Sequence, residues 1–124
     1  MDKKKVLVVD DDENLRTVLI DKLSASGFEV TGASDGEEGL KAALDLHPDV
    51  ILLDVMMPKL SGWNVLKEIR GDEVWGKNAK VVMLTVLEDL NNVALGAEHS
   101  ISGYLVKTNW SLDEVVKQVK DIVG

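Results

Sequence analysis

The stretch that most constrains this chain is VILLDVMMPKLSG, residues 50–62. Val50, Ile51, Leu52 and Leu53 follow one another without a polar break. Such a run reads as a strand buried on both faces, as in a parallel sheet. It ends on a carboxylate, Asp54, and Pro58 and Gly62 then break the chain into a loop. A charged residue just past the C-terminal end of a buried strand sits where open α/β sheets place their ligands. The competing account is that Asp54 only caps a strand end or a turn, the ordinary fate of a lone Asp in a loop.

The rest of the chain repeats the pattern. Apolar runs alternate with segments of helical spacing, which implies parallel βαβ units. Residues 6–9 form the first strand and run into Asp10, Asp11 and Asp12. A helix follows to about Ser26, with Leu15, Val18, Leu19 and Leu23 inward and Gly27 ending it. Residues 28–31 alternate apolar and polar and read as an edge strand. A helix from Ser34, with Glu37 three residues on as a capping box, buries Leu40, Ala43 and Leu44. After the strand over residues 50–53, a helix beginning near Ser61 or Gly62 carries Val65, Leu66 and Ile69 inward. Residues 71–78 are a polar loop holding Trp75. The apolar run 81–84 ends on Thr85. A helix over residues 88–98 has a weak apolar face, and Asn91-Asn92 lowers its propensity. The strand 102–106 ends on Lys107. A last helix starts at Ser111, with Glu114 as a second capping box, and buries Leu112, Val115, Val116, Val119 and Ile122. Five strands and five helices alternate strictly, so residues 1–124 are expected to form one α/β domain around one core.

Composition narrows the function. A net charge of −8 argues against nucleic-acid binding and against an anionic membrane surface. With no cysteine, disulfides, thiol catalysis and zinc–thiolate sites are excluded. The apolar run behind MDKKK is too short for a signal-peptide core, and no stretch is long enough to span a bilayer, so a cytoplasmic location is expected.

Strands one, three, four and five thus end on the Asp10–Asp12 run, Asp54, Thr85 and Lys107. In a parallel sheet these ends lie on one edge and converge in one shallow site. Clustered carboxylates repel, so they need a cation or a shared proton. Oxygen ligands, with neither His47 nor His99 near a strand end, point to Mg²⁺, with Mn²⁺ as an alternative. Thr85 offers a hydroxyl and Lys107 a point charge for a tetrahedral anion. That is equipment for phosphoryl transfer, in which a carboxylate can itself be the nucleophile. Each residue alone has a plainer reading: Asp10 to Asp12 as a helix N-cap, Thr85 as a cap, Lys107 as a solvated lysine.

VLVVDDDENLR, LLDVMMPKLSG, MLT and GYLVK, in this order and at this spacing, resemble the receiver domain of two-component response regulators across nearly the whole chain. The resemblance implies a doubly wound, CheY-like five-stranded parallel sheet of order 2-1-3-4-5. It implies Asp54 as the phosphoacceptor for a histidine kinase or phosphotransfer protein, in a regulatory domain rather than an enzyme. It makes Asp11 a direct Mg²⁺ ligand, Asp10 a partner through water, and the backbone carbonyl of Met56 a further ligand. Thr85 and Lys107 would bind the phosphoryl group, and Tyr104 would be the switch aromatic. The output face would be the 88–98 helix, the strand before Lys107 and the last helix, acting on a protein target or a fused output domain. Whether phosphorylation drives dimerisation there stays open.

The chain departs from the family pattern in places. Thr108 stands where a proline usually follows the lysine, which raises the cost of a cis peptide there. Trp110 replaces the common Phe anchor, displaced by one. Val86 is bulkier than the usual Ala or Gly and should narrow access. Met56 and Leu87 sit where the family tunes water access, and as apolar residues they imply slow self-dephosphorylation. Two other readings compete: a receiver-fold interaction module that never uses phosphorylation, and a small aspartyl-phosphate phosphatase with Asp10 as nucleophile. The latter leaves Asp54 unexplained, and Asn14 occupies a position where that family carries Thr or Val.

Overall fold

The apolar runs lie side by side as one parallel sheet. The structure is a computed structural model that describes residues 3–57, 60–72, 74–85, 103–106 and 111–123. Its strands are β1 (Lys5–Val9), β2 (Glu29–Ala33), β3 (Val50–Asp54), β4 (Val81–Thr85) and β5 (Gly103–Val106), in the order β2-β1-β3-β4-β5. Every pairing is parallel. The expected doubly wound order is therefore borne out. The described helices are α1 (Glu13–Ala25), α2 (Gly36–Leu46), α3 (Gly62–Arg70) and α4 (Leu112–Val123), with a 3₁₀ turn at Gly76–Asn78. The helix expected over residues 88–98 lies outside the described residues.

Successive strand residues point to opposite faces, and the sheet uses both. Val6, Val8, Val50, Leu52, Val82 and Leu84 meet Leu19 and Leu23 of α1 and Val115 and Val119 of α4. Leu7, Val9, Ile51, Leu53, Val81 and Met83 meet Ala43 of α2 and Val65, Leu66 and Ile69 of α3. Each large aliphatic side chain buried in this way contributes about 1.5–3 kcal/mol. β2, at the sheet edge, alternates exposed and half-buried residues up to Ala33, as its sequence pattern predicts.

The helix faces needed correction in two places. Val18 is 43% exposed and Leu44 38% exposed. In α1 the buried residues are Leu19 and Leu23, flanked by half-buried Leu15 and by half-buried Ile20, which packs toward β2 and leaves Val18 on the outer flank. In α2 the buried positions are Gly36, Gly39 and Ala43. A Cβ at Gly39 would fall 2.6 Å from Val9 Cγ1, so the helix sits directly on β1 and Leu44 turns to solvent. The α2 cap also differs. Asp35, not Ser34, caps the helix by accepting from the Glu38 N–H at 2.8 Å, while Ser34 Oγ donates to the Glu38 carboxylate at 3.0 Å. Ser61 and Ser111 cap α3 and α4 as expected, accepting from the N–H groups of Asn64 and Glu114.

At the opposite end of the sheet from the strand C-termini, α2 closes on His47, a left-handed residue with φ 48°. Its ring stacks on Trp75 with centroids 4.6 Å apart and planes 10° from parallel. The turn beneath is built by Asp72, whose carboxylate accepts from the N–H groups of Val74 and Trp75 at 3.0 Å each. Those hydrogen bonds hold the Asp72 carboxyl below its ordinary pKa.

Candidate functional site

β1 and β3 are neighbours at the point where the strand order reverses, and their register pairs Val9 with Leu53. The next residues along the two strands are Asp10 and Asp54. They lie at the C-terminal edge, where sheets of this kind bind ligands. Asp10 is 0% and Asp54 3% exposed, and they are the buried carboxylates among the described residues. One carboxylate oxygen from each of Asp10, Asp11 and Asp54 lies within 4.8 Å of the others, with Asp11 exposed at the mouth.

Local hydrogen bonds explain how the acidic run is divided. The Asp10 N–H donates to Ala33 O at 3.1 Å, extending the β1–β2 ladder one residue past the strand. Asp10 Oδ1 accepts from the Asp12 N–H at 2.9 Å. Asp12 turns away and caps α1, accepting from the Leu15 N–H at 3.1 Å. The cap reading therefore holds for Asp12, while Asp10 and Asp11 join the cluster.

The segment after β3 folds back onto the strand end. The Gly62 N–H donates to Val55 O at 2.9 Å, and a Cβ on Gly62 would lie 2.1 Å from Asp54 O, so this return needs a glycine. The Met56 N–H reaches Asp54 Oδ1 at 3.3 Å, and the Met56 side chain is 64% exposed.

β4 continues the edge. Asp54 pairs with Leu84, so Thr85 is the next backbone position, itself paired with Val106. The backbone thus brings the ends of β1, β3, β4 and β5 to one edge, as the sequence implied. The side chains of Thr85 and Tyr104 lie outside the described part of the structure, as do Val86, Leu87, Lys107, Thr108 and Trp110. One further residue reaches the site's framework: Arg16, whose Nη1 donates to Asp10 O at 2.8 Å. The sequence signal for it was an arginine in the helix directly after the acidic run.

Three carboxylates this close repel, and two of them have little water to screen them. The donors are all oxygen, and the cluster opens to solvent through Asp11. This set fits Mg²⁺, which takes hard oxygen ligands and keeps several waters.

The model of the response regulator receiver domain family matches residues 6–120. The chain belongs to this family. Receiver domains are phosphoacceptor modules of two-component signalling, regulatory rather than classical enzymes. This one is 42% identical over 120 residues to the alkaline phosphatase synthesis transcriptional regulatory protein PhoP of Bacillus subtilis, covering 97% of this chain and 48% of PhoP. It spans about half the length of the curated relatives it matches. Among solved structures it resembles the chemotaxis protein CheY4 of Vibrio cholerae, with a TM-score of 0.89 and 30% identity over 98% of this chain and 99% of that one. It also resembles the receiver domain of the sensor histidine kinase PA1611 of Pseudomonas aeruginosa, with a TM-score of 0.87 and 25% identity over 99% of each chain. That structure has a magnesium ion coordinated in its active site cleft. Among the described residues of this receiver domain, no helix is long and apolar enough to cross a membrane.

Proposed function

We propose that Asp54 accepts a phosphoryl group from a histidine kinase or phosphotransfer protein in the cytoplasm. The observation that carries this reading is the cluster of Asp10, Asp11 and Asp54 at the switch point of the sheet. Asp54 supplies the attacking oxygen: its bond to phosphorus forms as the donor's phosphorus–nitrogen bond breaks. Asp11, Asp54 and the Met56 carbonyl would hold Mg²⁺, with Asp10 joining through water, and Mn²⁺ is the alternative cation. The cation, when bound, offsets the charge of the carboxylates and of the phosphoryl oxygens.

The phosphoryl group then gains Thr85 and Lys107 as partners, and Tyr104 follows Thr85. Phosphorylation thereby biases the face made by the 88–98 segment, β5 and α4, on which a protein target, a fused output domain or a second copy docks. Val86, Met56 and Leu87 keep water from the acyl phosphate, so the phosphorylated state decays slowly. In this respect the domain catalyses only its own phosphorylation and dephosphorylation.

The test is intact-mass spectrometry after incubation with acetyl phosphate, with and without Mg²⁺. A single phosphoryl adduct is expected that needs Mg²⁺ and is lost in Asp54→Asn. An adduct that persists in Asp54→Asn but not in Asp10→Asn would move the nucleophile to Asp10, and decay within seconds would refute the slow-turnover reading.

A further inference from the structure

The phosphoacceptor reading makes no use of Arg16, yet three observations give it a task. Its Nη1 donates to the carbonyl oxygen of Asp10 at 2.8 Å, six residues back, so the side chain runs along α1 toward the end of β1. Its stem passes β2 at Gly32, where a Cβ would stand 3.3 Å from Arg16 Cδ and 2.7 Å from Ile20 Cδ1. The edge strand thus carries a glycine where the arginine crosses it. Finally, the Asp10 N–H is bonded to Ala33 O. The backbone of Asp10 is therefore gripped at its N–H by the sheet and at its carbonyl by the guanidinium.

We propose that Arg16 is a positioning residue for the cation site. Seated in the slot at Gly32, it clamps the Asp10 carbonyl and fixes the turn that carries the Asp10 and Asp11 carboxylates. This rests on the reading of those carboxylates, with Asp54, as the Mg²⁺ site. Clamp and charge act in opposite directions. A nearby positive charge opposes a divalent cation, so an arginine acting by charge alone would, on removal, leave Mg²⁺ bound more tightly. Loss of a clamp spoils the near-octahedral ligand geometry that Mg²⁺ demands and leaves it bound more weakly.

The experiment is calorimetric titration of Mg²⁺ into the metal-free chain, comparing wild type with Arg16→Met, Arg16→Lys and Gly32→Ala. Amide hydrogen exchange at Asp10 and Asp11 without metal is the second readout. Arg16→Met and Arg16→Lys should both weaken Mg²⁺ binding roughly tenfold or more, the scale of a lost hydrogen bond to a charged group, and should speed exchange. Lysine keeps the charge, so a loss shared by both variants belongs to the guanidinium's reach. Gly32→Ala, which crowds the stem, should show a smaller loss of the same sign. Unchanged or tighter Mg²⁺ binding in Arg16→Met overturns the proposal, including the case where only its melting temperature falls. A wild-type chain that binds no Mg²⁺ overturns the site reading beneath it, and the wild-type titration shows this separately from any variant.

Discussion

Asp10, Asp11 and Asp12 are chemically the same residue in three different positions. Two feed the carboxylate cluster and one caps α1, and nothing in the letters DDD distinguishes them. The division depends on where β1 stops and α1 starts, which the sequence leaves uncertain by a residue or two. The same limit explains why the α2 cap falls on Asp35 rather than Ser34. Asp72 was legible only as part of a polar loop, because its role lies in gathering N–H groups from a turn that sequence does not specify. Its carboxyl is held below the ordinary value of 3.8, so the stability it contributes is present above that value and is lost as pH falls through its lower folded value. Asp72→Asn is accordingly expected to destabilise the protein at neutral pH. The gap from wild type should close in denaturant melts run progressively below pH 3.8.

At the scale of elements, α3 and α4 were legible because their apolar spacing and serine caps agree, though Leu112 and Ile122 are half-buried against the core rather than buried. α2 was legible only in part, because two of its three buried positions, Gly36 and Gly39, are glycines, which carry no hydrophobic signal. The structure sets two substitutions against each other here. Gly39→Ala adds a methyl 2.6 Å from a buried Val9 methyl and should cost about 1–3 kcal/mol in a chemical melt, despite alanine's better helix propensity. Leu44→Lys, which the sequence pattern alone marks as a core lesion, should change stability by no more than about 0.5 kcal/mol, because the side chain already faces solvent.

For the molecule as a whole, strict alternation of strands and helices established parallel βαβ units but not the order of the strands. That order came with the resemblance, because it depends on which face of the sheet each helix covers, a non-local choice. The outcome puts like charges at the reversal between β1 and β3, so the metal-free fold carries internal repulsion. Mg²⁺ should therefore raise the melting temperature, because binding to the folded state alone adds about 2.7 kcal/mol of stability at a hundredfold excess over its dissociation constant. Asp54→Asn should melt higher than wild type without metal and gain little from Mg²⁺.

The pairing of Val9 with Leu53 has a consequence for how folding errors show themselves. A slip of one residue between β1 and β3 would turn every inward side chain of one strand to the wrong layer. It would also carry Asp10 out of step with Asp54. Hydrophobic packing and cation affinity therefore select the same alignment, and a mispaired chain would be both loosely packed and blind to Mg²⁺. Cation binding becomes an assay of topological fidelity, reporting whether the central strands met in the right frame.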